Sequence, residues 1–124
     1  MKIAKCSEEK FWATFEQWRI DEAFGEPIYN YLVHGWNPGS FFTAVLANDF
    51  RRAVASSHPS NTVTAMKALV GWIGDNAPHV SWGSYEAVKA WETMPEAERR
   101  ELLEYRNLIY TEKEETWKIL KDSA

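Results

Sequence analysis

Apolar residues recur along this chain at intervals of three and four, and small polar residues, prolines and glycines interrupt each run. That spacing constrains the fold more than any other feature, because it is the period of an α-helix with one buried face. Ser7-Glu8-Glu9 reads as a helix entry, a hydroxyl to cap followed by two acids favoured by the helix dipole. Phe11, Trp12, Phe15 and Trp18 then form a stripe, predicting a helix over residues 7–19. The segment 27–33 is ambiguous and reads as weakly helical. After the loop Gly35-Trp36-Asn37-Pro38-Gly39-Ser40, the residues Phe41, Phe42, Val45, Leu46, Ala53 and Val54 predict one helix over 39–56. Ser57-His58-Pro59 opens a helix over 59–75 with the stripe Val63, Met66, Leu69, Val70 and Ile73.

Two more elements complete the reading. Ser81-Trp82-Gly83-Ser84 opens a short helix over 84–92 with Val88 and Trp91 inward. Thr93-Met94-Pro95-Glu96 has the pattern of a capping box. It starts a charged segment read as one long helix over 95–120, with a thin apolar line through Leu102, Tyr105, Leu108, Ile109, Thr116 and Leu120. The expectation is an all-α fold, a compact bundle of about five helices with a long C-terminal helix and no sheet of consequence. The 124 residues are read as one domain, 1–124. Its 15% aromatic content gives it the means to bury a core. That core is expected to include Phe15, Phe42, Val45, Leu46, Leu69, Ile73, Val88 and Trp91.

Charge and composition restrict function. Net charge is −4 with scattered cations, whereas a duplex-binding protein draws most of its affinity from a basic face. No duplex nucleic acid is therefore expected as a partner. A small anionic ligand needs only two or three donors and remains compatible. The lone Cys6 forms no internal disulfide and suits a reducing cytoplasm. The N-terminus lacks a signal-like apolar run and no stretch has the length of a membrane span, so a cytoplasmic protein without membrane contact is expected.

The chemistry-bearing residues form no catalytic pattern. His34, His58 and His79 are far apart, and none has a second ligand at i+3 or i+4, so no metal is expected. There is no nucleophile elbow, no Cys–His arrangement and no phosphate loop, and the paired carboxylates of the last third sit on a solvated helix. The chain reads as a non-enzyme without a cofactor.

Binding signals are more specific. Three helix entries, at Asn37-Pro38-Gly39-Ser40, at Ser57 to Asn61 and at Trp82-Gly83-Ser84, place small polar residues where free N–H groups attract anions. Ordinary capping also explains them. Asn48-Asp49 interrupts the apolar pattern, and both residues are poor helix formers that either tie down a neighbouring element or line a pocket. The candidate ligand site comprises Trp36, Asn37, Gly39, Ser40, Asn48, Asp49, Arg52, Trp82 and Ser84. In it the N–H groups of Gly39 and Ser40 hold a phosphate, Trp36 stacks a base and Arg52 adds a second charge.

The run Pro38-Gly39-Ser40-Phe41-Phe42-Thr43-Ala44-Val45-Leu46-Ala47-Asn48-Asp49 resembles small accessory proteins carried by bacteriophages and prophages. So do Ala77-Pro78, Trp82-Gly83-Ser84 and Val88-Lys89-Ala90-Trp91, and the likeness covers about residues 36–92. Its residues are capping and core types, so it implies a setting and no chemistry: an accessory protein in an infected bacterial cytoplasm. By analogy such a protein antagonises host defence. One form is a sponge that sequesters a nucleotide-derived immune signal; the alternative is an interaction module that binds and inhibits a host protein. A homo-oligomer, a dimer paired through the C-terminal helix, is expected in addition.

Overall fold

The computed structural model describes residues 2–3, 5–58, 61–109 and 111–112. Seven α-helices run through them: α1 (Lys5–Gln17), α2 (Gly25–His34), α3 (Ser40–Leu46), α4 (Phe50–Ser56), α5 (Val63–Asn76), α6 (Tyr85–Thr93) and α7 (Glu96–Tyr105). Single 3-10 turns lie at Glu22–Phe24 and His79–Ser81. Strands β1 (Lys2–Ile3) and β2 (Thr111–Glu112) pair antiparallel, Lys2 opposite Glu112 and Ile3 opposite Thr111. No helix among the described residues is long and apolar enough to cross a membrane.

Aromatic packing sets the centre of the molecule. Phe11 of α1 meets Phe15 of the same helix and Trp72 of α5 edge-on, and Phe15 lies tilted against the same Trp72 ring, with ring centroids 4.6–5.4 Å apart. Such contacts add roughly 0.5–1.5 kcal/mol each beyond simple area burial. The two fully buried indoles, Trp72 and Trp91, each find an acceptor. Trp72 Nε1 donates to Thr14 Oγ1 at 2.9 Å, and Trp91 Nε1 donates to the Tyr31 carbonyl at 3.1 Å. The Tyr31 hydroxyl donates to the Ser81 carbonyl at 2.7 Å. Gly25 is required at the first turn of α2, because a side chain there would collide with the Trp12 ring.

A buried arginine holds the C-terminal side together. Arg99 of α7 donates to the carbonyls of Val33 and His34 at the end of α2, and to those of Trp91 and Met94 at the end of α6. A helix C-terminus leaves such carbonyls short of donors, and a planar guanidinium can serve several at once; the Trp91 carbonyl accepts the Met94 N–H as well. Gly35, left-handed at φ 71, lies so close to this guanidinium that a Cβ would overlap it.

The helical class and six of the eight expected core residues stand: Phe15, Leu46, Leu69, Ile73, Val88 and Trp91 are all buried, while Phe42 and Val45 are only partly so. Several boundaries are corrected. The segment 39–56 is two helices, because Asn48 adopts a left-handed φ of 65 and Asp49 starts a new helix by accepting the Arg52 N–H. The third predicted helix begins at Val63, capped by Thr62, whose hydroxyl accepts the Ala65 N–H; Pro59 lies outside the described residues. No capping box forms at Thr93, whose hydroxyl turns back to the carbonyls of Lys89 and Ala90 in its own helix.

The long C-terminal helix is also corrected. α7 stops at Tyr105, since Asn107 takes a left-handed φ of 63 and the Leu108 N–H returns to the Leu103 carbonyl. An asparagine in that conformation ends a helix. Leu108 and Ile109 are then buried, whereas Tyr105 on the supposed apolar line is 86% exposed. Thr116 and Leu120 lie outside the described residues, as does the rest of the segment from 113 onward. The apolar line read along one helix over 95–120 therefore does not continue as a single helical face through the described residues after Tyr105.

Candidate functional site

The helix α4 is bounded by open space on two sides, and its sequence assigns each side a different chemistry. Phe50 and Val54 are one turn apart, as are Arg52 and Ser56, and the two pairs point to opposite faces. Ala53 is the only buried residue of α4, which packs on α3.

The polar face, together with Asn37, Ser40, Thr43 and Tyr85, encloses a notch of about 300 Å³. This size is at the lower end for a small-molecule site. Asp49 joins α4 to α6: its carboxylate accepts the Arg52 N–H at 3.2 Å and the Tyr85 hydroxyl at 2.6 Å. The Tyr85 hydroxyl is the main reason that the Asp49 carboxyl is held below its ordinary range, with the Arg52 N–H second. The same bond raises Tyr85. The Arg52 guanidinium lies 5.8 Å from the Tyr85 ring centroid, a cation–π distance. Thr43 Oγ1 is buried beside the notch without a hydrogen-bond partner.

The nine expected site residues are thus only partly gathered. Asn37, Ser40 and Arg52 line the notch, and Asp49 borders it through Tyr85. The Gly39 N–H is not free for a phosphate, because it donates to Asn37 Oδ1 at 2.9 Å. Asn37 in turn donates its amide to Glu92 at 3.1 Å. Trp36 is 60% exposed and lies against the His34 ring, outside the notch. Asn48 shares no helix face with Arg52, since the helix is interrupted between them, and it borders the opposite groove instead. Trp82 packs edge-on to His79, and Ser84 caps α6 by accepting the Ala87 N–H. Tyr85 and Thr43 were missed. Tyr85 reads as an ordinary first-turn residue, and nothing in sequence announces that it reaches back 36 positions to Asp49.

The apolar face of α4 forms a groove with α5 of about 510 Å³. Phe50 (81% exposed), Val54, Val63 and Val70 stand open along it, with Met66 partly buried between them. Lys67, Asn48 and Asp49 are its polar lining residues. Single exposed apolar residues are commonplace, but a contiguous patch on two facing helices marks a contact surface. A third concavity, wider at about 1190 Å³, separates α1 from the start of α5. It sets Trp12 and Trp18 among Glu9, Glu16, Asp21 and Glu22, which makes it unsuited to an anion. No group of three or more metal-ligating side chains occurs among the described residues. No protein-family model, curated protein or solved structure matches this chain.

Proposed function

We propose that this chain is a non-enzymatic accessory protein of bacteriophage type that acts in the host cytoplasm by binding and inhibiting a host protein. The observation that carries this reading is the α4–α5 groove, with Phe50, Val54, Val63 and Val70 left in water. Covering a Phe or Val side chain on docking contributes about 1.5–3 kcal/mol. Four such side chains on one face are worth enough to offset several kcal/mol of association cost. The setting comes from the resemblance of residues 36–92 to phage accessory proteins. A photo-reactive side chain placed at Val63 in the host cytoplasm tests the reading. It should cross-link one host protein that then binds the purified chain directly, and Phe50→Asp should abolish both results. Cross-linking that is unaffected by Phe50→Asp would refute it.

One observation favours the second reading, sequestration of a nucleotide-type anion. The notch offers Arg52, several hydroxyls and the unpartnered Thr43 Oγ1 to an acceptor. Its 300 Å³ suits a phosphate with part of a sugar better than a whole cyclic dinucleotide. Thermal-shift titration with cyclic dinucleotides, cyclic trinucleotides and ADP-ribose derivatives separates the two readings. The sponge requires a stabilisation that Arg52→Ala removes, whereas the protein-binding reading requires none.

A further inference from the structure

The groove's own electrostatics define what kind of segment it takes. From Gly35 to Gly74 the chain has one acid, Asp49, against Arg51, Arg52 and Lys67, a net charge of +2. The whole chain carries −4, so the remaining residues carry −6. The helices that bound the groove are thus the basic part of an acidic protein. The one acid, Asp49, also lines the groove at the start of α4, but its carboxylate oxygens are already engaged by the Arg52 N–H and by the Tyr85 hydroxyl on α6. Lys67 borders the groove from α5, and the exposed Arg51 follows Phe50 on α4.

The geometry favours a helical occupant. Both walls are helices, and the apolar side chains along them repeat at about one turn, Phe50 and Val54 on one and Val63, Met66 and Val70 on the other. Such walls present side chains and no open strand edge, which suits an amphipathic helix with anchors at i, i+3 or i+4 and i+7. A second copy of this chain fits less well. A two-fold contact puts the same patch on both sides of the interface and would set Arg51 and Lys67 of one copy near the same cations of the other.

Resting on the protein-binding reading above, we infer that the groove takes an acidic amphipathic helix of a partner protein. Its apolar face seats between Phe50 and Val70, and its acids face Arg51 and Lys67.

Fluorescence anisotropy with the full chain and designed peptides of about 18 residues tests this inference. One peptide carries leucines at i, i+3 or i+4 and i+7 with glutamates elsewhere; a second replaces every glutamate by lysine. The glutamate peptide should bind at least about tenfold more tightly, and more weakly as salt rises to about 0.3 M. The double variant Arg51→Glu, Lys67→Glu should reverse the preference. Phe50→Asp should abolish binding, with Val63→Asp as an independent control, both positions being exposed enough to leave folding intact. Equal binding of both peptides, each lost in Phe50→Asp, overturns the acidic partner and leaves the groove reading standing. Binding that ignores Phe50→Asp and Val63→Asp, or no binding at all, overturns the groove as well. Sedimentation showing a dimer that Phe50→Asp disperses would make a second copy the occupant and overturn the inference.

Discussion

Helices α4 and α5 face each other across the groove and treat their apolar side chains in opposite ways. On α5, Leu69, Trp72 and Ile73 are buried at 0–4% exposure among the rings of α1. On α4, Ala53 alone is buried, and Phe50 is among the most exposed side chains described. Burial of large side chains is what resists unfolding, so α5 belongs to the stable core and α4 to the part that opens at low cost. Besides its packing on α3, α4 is tied down by polar bonds, through Asp49 and Tyr85. Stability and recognition are thereby assigned to different helices, and a substitution should disturb one without the other.

The largest effect belongs to the core. Trp72→Ala removes a fully buried ring packed on Phe11 and Phe15, along with its bond to Thr14, and should cost about 3–5 kcal/mol in urea denaturation. Arg99→Ala comes next. It strands carbonyls at the ends of α2 and α6, and the expected loss is about 1–3 kcal/mol, which Arg99→Lys should recover only in part. Both variants should retain peptide binding at temperatures where they remain folded.

Smaller effects are expected on α4. Tyr85→Phe removes the main bond to Asp49 and should raise amide exchange along α4 without a comparable change in α5. The folded carboxyl sits below its ordinary 3.8, so the tether contributes above that pH and is lost as pH falls through the lower folded value. The wild type and Tyr85→Phe should therefore differ at neutral pH and converge in acid. Phe50→Asp should change global stability by no more than about 0.5 kcal/mol, as measured by thermal denaturation, because the ring is exposed. A core-sized loss there would mean that α4 is a structural helix after all.

Particular residues show how far the sequence could be read. The helical period was enough to find the stripes, and the caps at Asp49 and Ser84 arise from residue types that favour such positions. The stripe of α5 is one apolar run in sequence but two faces in the fold: Leu69 and Ile73 turn inward while Val63 and Val70 line the groove. Periodicity shows that a residue is apolar and on a given side; whether another element covers that side depends on tertiary packing. The same limit hid the helix ends at Asn48 and Asn107. Each is a residue that tolerates a left-handed φ, but only packing decides that it adopts one. Of the expected ligand site, the polar residues Asn37, Ser40 and Arg52 came together because they share the α3–α4 hairpin. Trp36 and Trp82 did not, since each packs on its own local histidine.

Native-state hydrogen exchange, with and without the glutamate peptide, tests the separation of core from recognition helix most directly. In the free chain the amides of α4 should exchange about 100-fold faster than those of Leu69–Ile73. Bound peptide should slow α4 markedly and leave the core amides almost unchanged. Equal protection of α4 and α5 in the free chain, or a peptide that leaves α4 unprotected, would contradict the account.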